Sequence, residues 1–392
     1  MTDPQELEHK KIWYAPNQFE AYGEEEIKAV EKCLRSGWLA GNGPITEEFE
    51  NRIAKLFGKK YGLFVNSGSS AILLALVSLN LPKGSEIITP SCTFSTTVAP
   101  IIQLGYKPVF IDVEEKMYVP NINSIIRKIN SKTSCILLPN LIGSKPNYIE
   151  LSKQLKLLDR KDIKVIEDSA DTITYTEDSD ISTTSFYASH VITAGGTGGM
   201  VMFNDVIQLK RALMIRDWGR IGNNSEDMSD RFSYNIDSIP YDFKFLYGAL
   251  GYNLKCCEMS AAFGLVQLDR LDGFLSIRKQ NVINYFNYLS DVKEIILPDQ
   301  SLINANLLAI PFQTENRYEL LNYLESNNIQ TRVCFSGNIT RHPAYRNYLE
   351  DFTISDKIMK DGFLLGIHQG LNQDDIKYVC NKIRKFFNYS II

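Results

Sequence analysis

From residue 63 onward, short apolar runs alternate with longer stretches of helical spacing, and this alternation constrains the fold more than any other feature of the chain. LFV (63–65) precedes SSAILLALVSL, and EIIT (86–89) precedes TFSTTVAPIIQ. VFIDV (109–113), CILL (135–138) and IKVIED (163–168) follow, with helix-like stretches between several of them. The runs show no clean polar–apolar alternation, which predicts strands covered on both faces. Strand–helix alternation predicts a largely parallel sheet and an α/β architecture. Upstream, Ile27, Val30 and Leu34 recur at helical spacing over 24–35 and stop at Ser36-Gly37. A second helix is predicted over 46–57, with Phe49, Ile53, Leu56 and Phe57 on one face and Glu47 and Glu48 at the positive end of its dipole. From about residue 275 the pattern changes to a helical RKQNVINYFNYLSDV followed by mixed strands and helices. The expected division is a large domain over 1–275, with a helical segment at its start, and a smaller C-terminal α/β domain over 276–392. A length of 392 residues suits this, at roughly 150 residues per domain.

Several function classes are disfavoured. With 42 basic and 46 acidic residues the net charge is −4, so no basic excess points to nucleic acid or an anionic membrane. No run of about 18 apolar residues suggests a membrane span. The polar MTDPQELEHKK does not resemble a secretory signal, and a reducing cytoplasm is the expected compartment. The cysteines at 33, 92, 135, 256, 257, 334 and 380 are odd in number and not spaced as a disulfide framework or zinc site. The adjacent Cys256 and Cys257 read as packing.

Three segments carry chemistry. VNSGSSAILLAL (65–76) reads as a strand end, a Gly/Ser turn and a helix start, whose free N–H groups favour a phosphate. Ser69 and Ser70 add hydroxyls; a plain helix cap is the alternative. In IEDSAD (166–171) a carboxylate sits just past a buried strand, where ligands of α/β sheets bind; a capping aspartate is the alternative. SFYASHVITAGGTGGMVMFND (185–205) gathers Ser, Tyr and His before a glycine-rich stretch, in a chain whose only histidines are 9, 190, 342 and 368. A flexible turn with a surface histidine is the alternative.

In the order NSGSSA, TFSTT, IEDSAD, SFYASH with TGGM, RDWGR and GYNLK, roughly residues 20 to 388 resemble the sugar aminotransferase/dehydratase family of fold-type I pyridoxal-phosphate enzymes. The resemblance implies a large, mostly parallel seven-stranded-type sheet domain with a smaller C-terminal domain. It implies that Asp168 pairs with the pyridine nitrogen, that Phe94 stacks on the ring, and that Ser69, Ser70 and Ser185 hold the phosphate. It also implies that Asn253 contacts the phosphate of the other subunit, in a homodimer with shared sites. A carboxylate beside that nitrogen keeps it protonated, and a pyridinium ring accepts electrons well.

Transaminases of this family hold the cofactor on a lysine as a Schiff base. His190 stands where that lysine would be, and residues 165 to 209 contain no lysine. Imidazole cannot form the Schiff base but can move protons. The substitution resembles the branch that uses pyridoxamine phosphate to remove the 3-hydroxyl from a nucleotide-linked 4-keto-6-deoxy sugar, with His190 taking a proton from the cofactor methylene. Tyr187 and Asp171 match the residue types of that branch's iron–sulfur members and are taken with the cofactor-binding set. RDWGR (216–220) and SGNITRHP (336–343) also look like that branch. They make Arg220, Asn338 and Arg341, together with Trp38, candidates for the sugar-nucleotide pocket. His342 and His368 read equally as structural or as pocket lining.

The branch has two kinds. One acts on a CDP-sugar with a [2Fe–2S] cluster on four cysteines and a separate reductase. Here Ala170 holds the first of those cysteine positions, and IGNNSEDMSD after Arg220 has none. Cluster ligation needs thiolates, so no cluster is expected. The other kind acts on GDP-4-keto-6-deoxymannose without a cluster and restores its cofactor with glutamate, which is the preferred reading. GGTGG (195–199) departs from the family's usual GEGG. The alternatives are a reductase-coupled dehydrase, a conventional sugar aminotransferase, and a binding or scaffold protein that kept the fold.

Overall fold

The computed structural model describes residues 10–16, 20–221 and 225–392. The N-terminal segment through His9, and residues 222–224 after Arg220, lie outside the described residues. β1 (Tyr61–Val65), β2 (Glu86–Pro90), β3 (Lys107–Ile111), β4 (Thr133–Pro139), β5 (Lys164–Ser169), β6 (Ile181–Ser185) and β7 (Gly199–Phe203) form one seven-stranded sheet in the order β1-β7-β6-β5-β4-β2-β3. β3, β2, β4, β5 and β6 pair in parallel. β7 runs antiparallel to both β6 and β1. The expected α/β, mostly parallel architecture is present. Helices cover both faces, which is why β2, β6 and β7 are buried at every position and show no alternation. β6 (ISTTS) is the polar exception: Ser182 Oγ donates to Glu167 Oε2 at 2.6 Å and Thr184 Oγ1 to the Ser169 carbonyl at 2.8 Å, so its buried hydroxyls are satisfied within the sheet.

The first predicted helix spans Glu24–Ser36 and stops at Gly37, whose φ of 79° is left-handed. The second starts earlier than expected, over Pro44–Leu56, because Pro44 suits the first helical position. The exposed hairpin of β8 (Tyr234–Ile236) and β9 (Ile239–Tyr241) follows the large sheet in sequence. Helix Leu271–Leu289 is continuous across residue 275: Leu271 and Phe274 pack with Phe49 and Phe64, whereas Val282, Tyr285 and Leu289 pack with Phe312 and Phe363. That second core covers an antiparallel sheet of β10 (Ile310–Gln313), β12 (Gly362–Leu365) and β11 (Arg332–Val333), in that order. No described helix is long and apolar enough to cross a membrane.

Candidate active site

The parallel strands, and β1 with them, end at one edge of the sheet, where open α/β sheets bind ligands. A cavity of about 290 Å³ opens there. Ser69, Phe94, Asp168, Asp171, Ser185, Tyr187 and His190 all line it. Ala170 lines it too, and no lysine does among the described residues. A cleft of about 390 Å³ at the opposite edge, around the starts of β5 and β6, shares no residue with it.

One end of the cavity is built from the turn after β1. Ser67 caps helix Gly68–Leu79, accepting the Ser70 N–H at 3.1 Å. The turn lies tight against the sheet: a Cβ on Gly68 would come within 2.7 Å of Ser185 Cβ, and one on Gly199 would meet the Ser67 carbonyl. Only glycine allows that approach. Ser69 Oγ donates to Thr96 Oγ1 at 2.8 Å. Ser70 does not line the cavity; its Oγ accepts Ser67 Oγ–H at 3.0 Å and donates to Asn66 Oδ1 at 2.7 Å. The Gly195–Gly199 loop braces the same turn, with Thr197 Oγ1 donating to the Asn66 carbonyl at 2.6 Å and Gly198 N–H at 3.1 Å. Gly195, Gly196 and Gly198 all have left-handed φ, which the loop needs.

Asp168 is the penultimate residue of β5 and is buried. Its Oδ2 accepts Thr97 Oγ1–H at 2.7 Å and its Oδ1 accepts the Ala170 N–H at 3.2 Å. Burial outweighs both bonds and pushes its carboxyl up to about 6. Asp171 is also buried; its Oδ2 accepts the Ile142 N–H at 2.8 Å, and burial pushes it up to about 7. His190 Nε2 faces Asp171 Oδ1 at 3.9 Å, and its Nδ1 is enclosed with no hydrogen-bond partner. Burial, with the charge of Arg278 as a smaller push, lowers its imidazole to about 4 against a pull upward from the Ser185 main chain. The ring is therefore a neutral base at ordinary pH. Tyr187 stands edge-on to it, with ring centroids 6.2 Å apart. Phe94 is half exposed and meets Phe335 edge-on at 6.3 Å, so the two form a lip.

The other predicted residues lie outside this cavity. Asn338 is fully buried and spent within its own turn, bonding Glu350, Asp356 and Thr340. Arg341 is forked onto Asp356 and pairs with Asp351 at 2.7 Å. Both side chains are engaged in structure, not turned toward the cavity. Arg220 stacks 4.4 Å over Trp218, with its Nε enclosed and unpartnered. Trp38 is half exposed, and Asn253 is exposed beside Asp217. His342 bonds the Ser336 carbonyl at 2.9 Å, and His368 is buried against the Trp13 carbonyl at 3.1 Å; neither lines the cavity. The cysteines are free, and Cys256 packs in the core. Sequence reading missed Ser67, Thr96, Thr97 and Phe335. Ser67 was legible as the cap of NSGSS, and Thr97 lay inside the quoted TFSTT.

These residues fit pyridoxal phosphate. A glycine-lined helix N-terminus with serine and threonine hydroxyls suits a phosphate at one end. A buried carboxylate with no cation suits a protonated ring nitrogen at the other, and Phe94 supplies an aromatic face between them.

The DegT/DnrJ/EryC1/StrS aminotransferase family model matches residues 20–384. The chain is 33% identical to the lipopolysaccharide biosynthesis protein RfbH of Salmonella typhimurium, over 95% of this chain and 91% of that one. It is 32% identical to dTDP-4-dehydro-2,6-dideoxy-D-glucose 3-dehydratase of Saccharopolyspora spinosa, over 93% of this chain and 84% of that one. Its fold superposes with a TM-score of 0.83 on E. coli GDP-4-keto-6-deoxy-D-mannose-3-dehydratase with bound hydrated PLP, at 25% identity over 95% of this chain and all of that one.

Proposed function

The chain belongs to the DegT/DnrJ/EryC1/StrS aminotransferase family of pyridoxal-phosphate-dependent enzymes, and from that premise we propose that it removes the C3 hydroxyl of a nucleotide-linked 4-keto-6-deoxyhexose, with pyridoxamine phosphate as cofactor and glutamate restoring that form. The carrying observation is His190 in a cavity lined by no lysine among the described residues, across from a buried Asp168. When bound, the cofactor supplies the amine that condenses with the ketone and the ring that takes up electrons. The Gly68–Leu79 N-terminus, Ser67, Ser69 and Ser185 hold its phosphate. Asp168 keeps the ring nitrogen protonated, with Thr97 orienting the carboxylate. Phe94 covers the ring. His190 moves a proton through its imidazole, which burial keeps unprotonated beforehand. Its short ring cannot anchor the cofactor covalently, so the amine form stays free to react.

Trp38, Arg220 and Asn253 lie outside the cavity. Their proposed roles, on the sugar nucleotide and on a neighbouring phosphate, are consistent with a homodimer. Incubation with pyridoxamine phosphate, glutamate and a panel of GDP-, CDP-, dTDP- and UDP-4-keto-6-deoxyhexoses, read by mass spectrometry, tests the assignment. Loss of the C3 oxygen with release of ammonia is expected. Gain of an amino group at C4 would overturn it in favour of transamination, and turnover only with an added reductase would overturn the role of glutamate.

A further inference from the structure

Three segments converge on Asp171 behind the cavity. The Ile142 N–H that holds Asp171 Oδ2 belongs to a buried β-branched residue at φ 63° and ψ −2°. Keeping such a residue left-handed costs about 1–3 kcal/mol, so something must hold it there. The Ile142 carbonyl accepts the Leu308 N–H at 2.8 Å. Gly143 follows at φ 103°, and a Cβ there would come within 2.8 Å of Leu307 Cα, so segment 306–308 lies directly against the turn. The same segment is stitched to the other flank of Asp171. Thr172 Oγ1 donates to the Asn306 carbonyl at 2.8 Å, and Asn306 Nδ2 donates to the Ile173 carbonyl at 2.9 Å. Arg278, buried in helix Leu271–Leu289, grips the segment from behind through the Leu308 carbonyl at 2.9 Å and Gln369 Oε1 at 3.1 Å.

We propose that Asp171 is the positioning residue of His190: the strained turn at Ile142 and its brace at 306–308 fix one carboxyl oxygen so that the other faces the imidazole and sets its orientation. This rests on the reading of His190 as the proton carrier. A base oriented by a third group is a recurring arrangement, and backbone strain gathers where a site needs fixed geometry. Ser185 and Tyr187 flank the ring, and Arg278 acts on it from its helix. Asp168 from β5 acts on Asp171, whose charge in turn is felt by Tyr14 from the N-terminal segment and Cys334 after β11. With Asp171 near 7 and His190 near 4, the carboxyl ionises beside a ring that is already neutral. The ring should register that event.

The test is an NMR titration of the full-length, cofactor-free protein labelled with 13C at histidine Cε1, from about pH 5 to about pH 9. The His190 signal is the one lost in His190→Asn. In the wild type it should shift in a step centred near 7. Asp171→Asn should abolish that step and, in the loaded enzyme, lower kcat about tenfold or more with little change in KM, because orientation and not binding is lost. Asp171→Glu, which restores the charge but not its place, should not recover kcat. Gly143→Ala pushes 306–308 off the turn without touching either side chain, and should weaken or displace the step, which keeps the idea testable if Asp171→Asn does not fold. A wild-type signal with no step near 7, a step unchanged in Asp171→Asn or Gly143→Ala, or full recovery by Asp171→Glu would overturn the proposal. The titration reads geometry whatever the product, so failure of the dehydratase assignment would leave its outcome in place.

Discussion

Asp168→Asn separates the electrostatic role of this carboxyl from its hydrogen bonds. In the cofactor-free protein the group is buried without a cation, and its carboxyl rises from 3.8 to about 6. A raised folded-state value means that the native chain holds the proton more tightly than the unfolded one. Native stability therefore falls as pH rises through the window between 3.8 and about 6, and the loss is complete above it. At 1.36 kcal/mol per unit, the burden amounts to about 3 kcal/mol at pH 8 and roughly 1.5 kcal/mol at pH 5. Asparagine removes that burden but leaves either Thr97 Oγ1–H or the Ala170 N–H facing an amide N–H, a penalty of about 1–3 kcal/mol that does not vary with pH. The two effects are of similar size, so a measurement at one pH decides nothing. Their difference does: relative to wild type, the variant should gain roughly 1.5 kcal/mol between pH 5 and pH 8 in urea unfolding of the cofactor-free protein. Saturating pyridoxal phosphate should stabilise the wild type much more than the variant. An Asn-minus-wild-type difference that is flat with pH, or equal stabilisation of both by the cofactor, would refute the reasoning.

His190→Asn should lower product formation about 10²–10⁴-fold while cofactor binding by equilibrium dialysis stays intact, as expected for loss of an acid–base group; a rate within a factor of a few of wild type would count against the proton role. His190→Lys should retain pyridoxal phosphate covalently, trapped by borohydride, and lose 3-deoxygenation; unchanged dehydration in that variant would remove His190 from the chemistry. Gly68→Ala drives a Cβ into Ser185, so it should lower stability to urea by about 1–3 kcal/mol of overpacking and, by displacing the cradle, weaken pyridoxamine phosphate binding about tenfold or more; unchanged binding by equilibrium dialysis would count against the cradle.

The apolar β7 (GMVMF) was hidden in the glycine-rich stretch and not read as a strand, but β1 to β5 were legible, carrying apolar runs that no surface segment would tolerate. β6 was not, because its buried residues are Ser and Thr whose hydroxyls bond Glu167 and Ser169, so burial left no hydrophobic trace. Among the candidate site residues, topology brings Ser69, Phe94, Asp168, Ser185 and His190 to one edge, where all five line the cavity. Residues whose importance lies in main-chain geometry were not legible. Nothing in LIG announces that Ile142 is left-handed, and Phe335 reaches the cavity from a segment more than two hundred residues beyond Phe94 in sequence. Asn338 and Arg341 show the converse case. The resemblance of SGNITRHP suggested a sugar-nucleotide contact, yet Asn338 bonds Glu350, Asp356 and Thr340, and Arg341 bonds Asp356 and Asp351. Polar residue type identifies a group that needs a partner, and only the fold says whether the partner is already in the protein.

Burial acts on Asp168, Asp171 and His190 in the same sense. It raises Asp168 and Asp171 and lowers His190, so each is driven toward its neutral form. A protonated ring nitrogen beside Asp168 would reverse this at one carboxyl only, because the Coulomb gain at a direct contact exceeds the desolvation that raised it, while Asp171 has no such partner. The loaded site would then hold an ion pair at Asp168, with the His190 imidazole neutral and Asp171 ionising near 7. A lysine placed where His190 stands would meet the same desolvation and be pushed toward its free amine, the form that attacks an aldehyde. The pocket therefore suits either residue electrostatically. What differs is reach and covalency: an amine at the end of four methylenes can bond the cofactor, whereas an imidazole held beside Asp171 can only exchange protons with it. On this reading one scaffold runs group transfer or deoxygenation with no change in its field, and the outcome is decided by the side chain at a single position.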